Sequence, residues 1–462
     1  MIPLFPPLVR LVEHLSHHGI KPIFVGGFVR DFFTGHTTSD LDIELYGVTS
    51  LETLEALLRP FGKLGLYGKS FGVLKLNYEG YSIDFSPPRT ESKSGFGHKG
   101  FELEWFSDLD FSAAARRRDF TINAIGYDPL TQTLLDPFGG VEDLKAKRLR
   151  CVDPETFIDD PLRVLRAVQF TARFELTCDK NLLALCRQMI ANGALNELPK
   201  ERIFEEFKKL LLQSNRPSIG MALLRDMGAL GFFTPLDRLE ETPQEKDSHP
   251  EGSVWVHTLM ALDSMASLRC GEWRDDIILM LAVLLHDIGK PDTTLYADGI
   301  LNAPKHAEIG AEMAQDWLER VTEDKTLISR ILPLIRYHGW PRKLYRSNAL
   351  DSDILRLSTY VCIRDLILVA KADFFGRAFV GNIPEHFEAG EWLYERASAL
   401  GVLVEPPVPL LMGRDLIALG MPPSEAFKSI LNDAYDAQLN QLFFTRDQAL
   451  EWLNIYLERG KL

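Results

Sequence analysis

Cysteine is scarce in this chain, with five residues in 462, an odd number, and no CxxC pair among them. That argues against a disulfide framework or a Cys-rich zinc site and points to the reducing cytoplasm. Long apolar runs are missing as well. The longest, Ile277 to Leu285, falls far short of the ~20 residues that a membrane-spanning helix needs. Met1 to Val12 carries prolines and does not read as a signal peptide. The expectation is a soluble protein with no membrane partner. Positive charge is also in deficit: 51 Lys and Arg against 65 Asp and Glu leave a net charge of −14. A protein that coats nucleic acid by bulk charge would be basic, so that class is disfavoured, while a local basic site on an acidic body stays open. What is present is an ordinary globular composition, 46% hydrophobic and 25% charged, over a length that predicts two to four domains.

The pattern changes near residue 140. Before it, β-rich runs (Pro22–Val25, Leu41–Leu45, Val73–Leu76, Tyr81–Phe85) alternate with helical segments such as Phe28–Phe33 and Leu51–Leu58. After it, helical periodicity dominates, as in Leu162–Phe174, Arg202–Leu212, Val256–Leu268, Ile277–His286 and Ala307–Arg320. The fold class expected is α+β: a head with a mixed β-sheet and helices (1–140), then an all-α neck (141–215), body (216–403) and tail (404–462). Val404-Glu-Pro-Pro-Val-Pro409 reads as a stiff linker before the tail.

Two features of the head carry chemistry. Gly26-Gly27 falls between a predicted strand and a predicted helix, where backbone amides and the helix N-terminus can approach a phosphate, with Arg30 on the first turn. Thirteen residues after Gly27, Asp40-Leu-Asp42 opens an apolar strand. Residues two apart on a strand share a face, and two carboxylates there repel unless a cation such as Mg²⁺ lies between them. Taken alone, each feature has a plainer reading, a surface turn or an acidic strand end.

Together, the ordered motifs from Phe24 to Leu212 resemble nucleotidyltransferases of the polymerase-β type. More narrowly, they are similar to the bacterial (class II) tRNA nucleotidyltransferases, or CCA-adding enzymes, and their poly(A) polymerase relatives. The resemblance implies metal-binding catalytic roles for Asp40 and Asp42. Members of the superfamily often use a third carboxylate on a neighbouring strand, for which Asp84 is the candidate; its plainer reading is a solvated strand acid. Arg116-Arg-Arg-Asp-Phe-Thr-Ile-Asn-Ala124, otherwise a basic helix start with polar caps, matches the family's RRDFTxNA motif. That match implies contacts from Arg118, Asp119 and Asn123 to the nucleotide's sugar and phosphates. Asp136-Pro-Phe-Gly-Gly-Val-Glu-Asp-Leu144 resembles the next motif, whose glycines are thought to act as a hinge.

Asp159-Asp-Pro-Leu-Arg-Val-Leu-Arg166 bears on specificity. It makes a good helix start, with Asp160 as cap and Pro161 in the first turn. It also puts Asp160 and Arg163 on one helix face, with Arg166 one step further. A carboxylate accepts from an exocyclic amine and an arginine donates to ring nitrogen or carbonyl, so one Asp–Arg pair can accept C and A while rejecting U and G. The stretch resembles the family's EDxxR motif, with Asp159 in place of the usual Glu, which implies the base-reading role for Asp160 and Arg163. Glu201–Lys209 resembles a later helix that props up this site, or else is an amphipathic helix with ion pairs such as Glu205–Lys209. Residues 141 to 210 hold 13 Lys and Arg against 12 Asp and Glu, the relatively neutral stretch where an RNA acceptor stem would sit. Gly68-Lys-Ser-Phe-Gly-Val73 is closer to the CCA-adding pattern than to that of poly(A) polymerases. Pro88-Arg-Thr-Glu-Ser-Lys-Ser-Gly95 resembles the flexible loop that full CCA-adding enzymes need for the last A.

A second set lies downstream: His257, His286-Asp-Ile-Gly-Lys290, His306, His338 and Asp373. Imidazole with carboxylate suits Mn, Ni, Fe, Zn or Mg, and an open position would activate water. The set resembles the HD phosphohydrolases, and specifically the HD domain of multifunctional CCA-adding proteins. Metal roles for His257, His286, Asp287 and Asp373 follow from that resemblance, with His306 and His338 fitting a two-metal variant. So does a phosphatase, 2′-nucleotidase or 2′,3′-cyclic phosphodiesterase activity. A degenerate HD fold kept as scaffold is the plainer reading. His249 and His386 read as surface residues. Met412-Gly-Arg-Asp-Leu-Ile-Ala-Leu-Gly420 and the helix through Ala434 resemble the family's RNA-touching tail.

The function expected is template-independent addition of C, C and A to the tRNA 3′ end from CTP and ATP with Mg²⁺, joined to a phosphohydrolase using Ni²⁺, Mn²⁺ or Mg²⁺. The alternatives are a poly(A) polymerase or A-adding enzyme, an HD phosphohydrolase whose head merely grips RNA, and a non-catalytic RNA-binding protein.

Overall fold

Alternation along one strand organises the head. In Asp40–Tyr46, Leu41, Ile43 and Leu45 enter the apolar core, which leaves Asp40, Asp42 and Glu44 on the opposite face. The Pro6–His17 helix packs its Leu8, Leu11, Val12 and Leu15 stripe into that same core, the spacing of one helical face. The structure, a computed structural model, describes every residue except Met1, Pro3, His36, Thr37, Thr49, 68–72, 94–100, 106–108, Asp298, Val380, Asn382 and 460–462.

The strands of the head are β1 (Lys21–Val25), β2 (Asp40–Tyr46), β3 (Leu64–Tyr67), β4 (Val73–Tyr78), β5 (Tyr81–Ser86), β6 (Arg89–Lys93), β7 (Phe101–Trp105), β8 (Gly126–Asp128) and β9 (Thr133–Leu135). Seven of them form a mixed sheet in the order β3-β4-β5-β2-β1-β8-β9. β2 and β5 run parallel, and the other neighbours antiparallel. The four strands expected from the sequence are β1, β2, β4 and β5. β8 and β9 have three residues each, too few to display an alternation. The stretch expected as a flexible loop is partly strand: Arg89–Lys93 pairs with Phe101–Trp105. Its last residues, Ser94 and Gly95, and Gly68 to Gly72 of the other discriminating stretch, lie outside the described residues.

The Gly-Gly turn expected to act as a hinge is a packed helix start. Gly139 is left-handed at φ +74, and a Cβ on Gly140 would stand 2.2 Å from the Thr121 carbonyl oxygen. Asp136 accepts hydrogen bonds from the Gly140 and Val141 amides at 2.7 and 3.0 Å. Beyond it come the Leu162–Arg173, Lys180–Ala191, Lys200–Gln213 and Pro217–Asp226 helices.

The chain divides into two compact units, Met1–Phe233 and Thr234–Leu462. In the second, the helix Trp273–Leu285 is buried throughout Ile277–Leu285, as a helix apolar on all sides must be. Val254–Ala266, His306–Val321, Lys325–Tyr337 and Ile363–Phe375 complete its bundle. The last three helices, Gly413–Ala418, Ala426–Leu439 and Arg446–Arg459, share a separate apolar cluster around Leu416, Ile430, Phe443 and Leu453. All five cysteines are free thiols. Among the described residues no helix is long and apolar enough to cross a membrane.

Candidate active sites

Gly26 turns the chain from β1 into the Gly27–Thr34 helix at φ +68, a conformation side chains rarely adopt. A Cβ there would stand 3.0 Å from Asp42 Oδ2, so the bare backbone is what lets turn and carboxylate approach. Asp40 is exposed at the start of β2, its amide donating to Thr38 Oγ1 at 3.1 Å. The β2–β5 register sets Asp42 opposite Asp84. The Asp42 carboxyl is raised above the ordinary range by burial and by the negative charge of Asp84, Asp40 and Glu44, against the pull of Arg118. Asp84 Oδ1 is buried without a hydrogen bond, with Lys75 Nζ 3.4 Å away.

Glu44 is a residue that sequence reasoning missed. It is fully buried, and its Oε1 accepts from Arg118 Nη2 at 2.8 Å and Arg117 Nη2 at 3.0 Å. The Tyr46 hydroxyl donates to its Oε2 at 3.2 Å. Burial pushes this carboxyl up, but Arg118 and Arg117 together hold it below its ordinary value. The available signal was its place as the third same-face acid in Asp40-x-Asp42-x-Glu44.

A cleft of about 330 Å³ gathers most of the expected nucleotide residues: Gly26, Gly27, Arg30, Asp42, Arg118, Asp119, Asn123, Asp160, Arg163 and Arg166. Arg117, Leu162, Phe170 and Arg202 also line it, and the sequence had not singled out Phe170 or Arg202. One chain of hydrogen bonds crosses from head to neck. Arg30 Nη1 donates to Asn123 Oδ1 (2.6 Å), Asn123 Nδ2 to Asp119 Oδ1 (2.9 Å), and Arg166 Nε to Asp119 Oδ2 (2.7 Å). Arg30 also donates to Asp31 Oδ1 at 2.8 Å and lies over the Phe174 and Phe170 rings, at 4.7 and 5.2 Å. Arg118 Nη1 reaches the Asn123 carbonyl at 3.1 Å. Although burial pushes the Asp119 carboxyl up, Arg166 and Asn123 hold it below the ordinary range. The Arg116–Arg118 run falls at the C-terminal end of the Phe111–Arg116 helix, not at a helix start.

Asp160 and Arg163 line this cleft together, but each is held by a different partner. Asp160 Oδ1 caps the Leu162 amide at 3.1 Å, and Oδ2 accepts from Arg202 Nη2 at 3.2 Å. Arg163 donates to the Thr156 and Arg117 carbonyls at 2.6 and 2.7 Å. Arg202 belongs to the Glu201–Lys209 stretch. Its ion pairs are Glu205–Lys208 and Glu206–Lys209 at 2.8 Å, three residues apart, in place of the expected Glu205–Lys209 pair.

In the second unit, His257, His286, Asp287, His338 and Asp373 are buried together, with His306 partly so. The Nδ1 atoms of His286, His306 and His338 lie 2.7 Å from the carbonyls of Val283, Ala303 and Ile335, and that of His257 lies 3.0 Å from Glu251 Oε1. Each partner can only accept, so Nδ1 carries a proton and Nε2 is the ring atom that faces inward. Those Nε2 atoms converge: His257 and His286 Nε2 are 3.3 Å apart, and so are His306 and His338 Nε2. Although burial pulls it down, Asp373 and Glu251 raise the His257 ring above its ordinary value. Asp287 spans the two pairs, with Oδ2 3.1 Å from His286 and Oδ1 3.5 Å from His306. Asp373 Oδ1 lies 3.1 Å from His257 Nε2. Burial, with His286 and His306 beside it, pushes His338 down to about 3, so its ring is neutral at working pH.

Sequence reasoning missed Glu251, which accepts from His249 at 2.9 Å and fixes His257. His249 is a correction: expected at the surface, its side chain is only 12% exposed because it packs beside that buried carboxylate. His386 is exposed. Also missed were Arg342 and Arg377, which donate to Asp373 at 2.5 and 3.1 Å.

Three family models match the chain. The model of the poly A polymerase head domain matches residues 23–150, and the HD domain model matches 254–373. A third, described as "Probable RNA and SrmB- binding site of polymerase A", matches 175–236. The multifunctional CCA protein of Ralstonia nicotianae is 33% identical over 375 residues, 78% of this chain and 83% of its own. That of Dechloromonas aromatica is 34% identical over 394 residues, 82% and 89% of the two chains. The Bacillus stearothermophilus CCA-adding enzyme, solved in complex with CTP, superposes with a TM-score of 0.67 at 20% identity, over 99% of this chain and 98% of its own. The Thermotoga maritima CCA-adding enzyme, solved with tRNA, gives 0.59 at 20% identity, over 98% and 96%. At that identity the solved structures speak for the fold, and the relatives of higher identity speak for kinship. The chain belongs to the family of multifunctional CCA proteins.

Proposed function

We propose that this enzyme adds C, C and A in turn to the 3′ end of tRNA in the cytoplasm, from CTP and ATP and without a nucleic-acid template. The observation that carries the reading is a single cleft with Asp42 at one place and the Asp160 and Arg163 side chains at another. On this reading residues 1–140 are the catalytic head, 141–215 read the base, 216–403 hold the HD domain and 404–462 contact RNA.

Both domain types imply dependence on divalent metal, and we assign Mg²⁺ to the head. The residues fit it: Asp42 is crowded by like charges and Asp84 Oδ1 accepts no hydrogen bond, with only the Lys75 ammonium 3.4 Å away, and a hard cation held by Asp40, Asp42 and Asp84 would relieve both. Such ions would offset phosphate charge and lower the pKa of the attacking hydroxyl. The chain's own groups do the rest. The tRNA 3′-oxygen bonds to the α-phosphorus, the bond to the β-phosphate oxygen breaks, and pyrophosphate leaves. Asp84 accepts the hydroxyl proton. Asp119 and Asn123 hold the ribose hydroxyls, and Arg118 the phosphates. Asp160, oriented by Arg202, accepts from the amine of C or A, and Arg163 donates to the ring. Uracil and guanine present a carbonyl to Asp160 and are refused, because acceptor meets acceptor.

For the HD centre we propose metal-dependent hydrolysis of nucleotide phosphoesters: a phosphatase, 2′-nucleotidase or 2′,3′-cyclic phosphodiesterase activity. Converged imidazole Nε2 atoms around a bridging carboxylate suit Ni²⁺, Mn²⁺ or Mg²⁺, held by His257, His286, Asp287 and Asp373 with His306 and His338. Metal there would supply a nucleophile from water at neutral pH.

The test is incorporation into tRNA ending at the discriminator base, with each nucleotide triphosphate and Mg²⁺. Two C and one A are expected. Equal use of UTP or GTP, or long A tails from ATP alone, would refute the reading in favour of a less selective or poly(A)-making enzyme.

A further inference from the structure

Beside the histidine centre lies a cleft of about 600 Å³, within the range of small-molecule sites. One wall is the segment from Pro243 to His249, and the other is the hairpin pairing Leu295–Ala297 with Ile300–Asn302. His306 and Lys290 line it too, so the cleft adjoins the centre. Lys290 Nζ lies 2.7 Å from Asp287 Oδ2 and 2.7 Å from Gln244 Oε1, which ties the wall to the ligand set. Gln244 thus has its acceptor occupied, while its Nε2 is buried with no hydrogen-bond partner. Such a donor calls for an acceptor from a ligand. Facing it, Leu295 and Ile300 are apolar yet 46% and 50% exposed. The hairpin is pinned by Glu245, whose carboxylate accepts from the Leu301 amide at 2.9 Å.

A cationic, metal-binding end, apolar walls and one unpaired amide donor match the parts of a nucleotide: phosphate, flat base and polar base edge. We infer that this cleft seats the nucleoside of a single nucleotide whose phosphate is cleaved at the centre. Gln244 Nε2 donates to a carbonyl or ring-nitrogen acceptor of the base, and the hairpin packs on the base's faces. This rests on the phosphohydrolase reading above. In the reaction, water oxygen bonds to phosphorus, the bond from phosphorus to the ribose oxygen breaks, and the freed ribose hydroxyl takes the proton. Gln244 and Ile300 then set specificity for the leaving alcohol.

The experiment compares adenosine 2′-monophosphate with glycerol 2-phosphate, which lacks a base, on the full chain with Mg²⁺, Mn²⁺ or Ni²⁺. Ile300→Trp, at a half-exposed hairpin position that tolerates size, and Gln244→Leu are each expected to lower the nucleotide-to-glycerol ratio of kcat/KM at least tenfold. In parallel, adenosine 2′-monophosphate slows amide hydrogen exchange in the peptide covering 295–302 of the metal-free chain. An unchanged ratio, or no slowing in that peptide, overturns the cleft assignment and leaves the phosphohydrolase standing. No hydrolysis of either compound with any of the three metals overturns both.

Discussion

Asp42 and Asp84 stand opposite one another in register on β2 and β5, the parallel pair of the head sheet. Both lie on the face away from the apolar core, so two carboxylates from different parts of the chain meet where a third, Asp40, begins the strand. That juxtaposition makes Asp84 the candidate third carboxylate on structural grounds, beyond family analogy.

Asp42→Asn and Asp84→Asn should each lower nucleotide incorporation by about 10³-fold, the scale of several kcal/mol of lost charge stabilisation. Phosphoester hydrolysis at the HD centre should persist in the same preparations. A primer-extension gel and a phosphate-release assay read the two activities separately, and full transfer by Asp84→Asn would remove it from the site.

Selectivity should fall when Asp160 loses its carboxylate. Asp160→Ala is expected to reduce preference for CTP over UTP by about 10- to 100-fold, the range for one discriminating polar contact. Arg202→Met should weaken the same preference less, because it frees Asp160 without removing it. Competition between labelled CTP and UTP on one tRNA measures both.

Asp119 links stability to pH. Its folded carboxyl is held below the ordinary value by Arg166 and Asn123 despite burial, so the stabilisation is present above the unfolded value and drains away as pH falls through the folded one. Asp119→Asn should cost about 2 kcal/mol at pH 7, the scale of a charge-assisted hydrogen bond. The gap from the parent chain should narrow below about pH 4, as seen in urea unfolding across pH.

Glu44 orients two arginines at the nucleotide cleft. Glu44→Gln keeps the shape but removes the charge that holds Arg117 and Arg118, and should raise KM for CTP and ATP about tenfold with a smaller change in kcat. Equal loss in both constants would instead mean that Glu44 acts on the chemical step.

The HD centre should hold two ions. Chelation should abolish hydrolysis, and Mn²⁺ or Ni²⁺ should restore it. His306→Ala should lower the metal content measured by mass spectrometry from two ions per chain to one, because His306 and His338 form one imidazole pair and His257 and His286 the other.

Much of this was legible in sequence, because it is local. Asp40 and Asp42 share a face by the period of a strand, Leu51–Leu58 forms a helix capped by Ser50, and His286 follows the apolar run Ile277–Leu285 that ends its helix. Glu44 was not, because the arginines that define it lie 73 and 74 residues away. Glu251 and Gln244 were missed for a related reason, since each matters only through a histidine or lysine folded against it. The Asp160–Arg163 spacing was read as one helix face, but Asp160 lies just before the Leu162–Arg173 helix, and Arg202, 42 residues on, is what it binds.

By itself, then, the sequence determined the chemistry that short spacing can encode: paired acids on a strand, a glycine turn, an arginine run, histidines in family order, and the α+β-then-α succession. Tertiary structure alone decided which of those groups meet. It set Asp84 beside Asp42, tied Asp119 to Arg166, turned four imidazole Nε2 atoms inward and left Gln244 with an unpaired donor. The reason is that register and burial are properties of the packed sheet and bundle. They bring together residues far apart in the chain, and desolvation then makes each polar group's partner decisive.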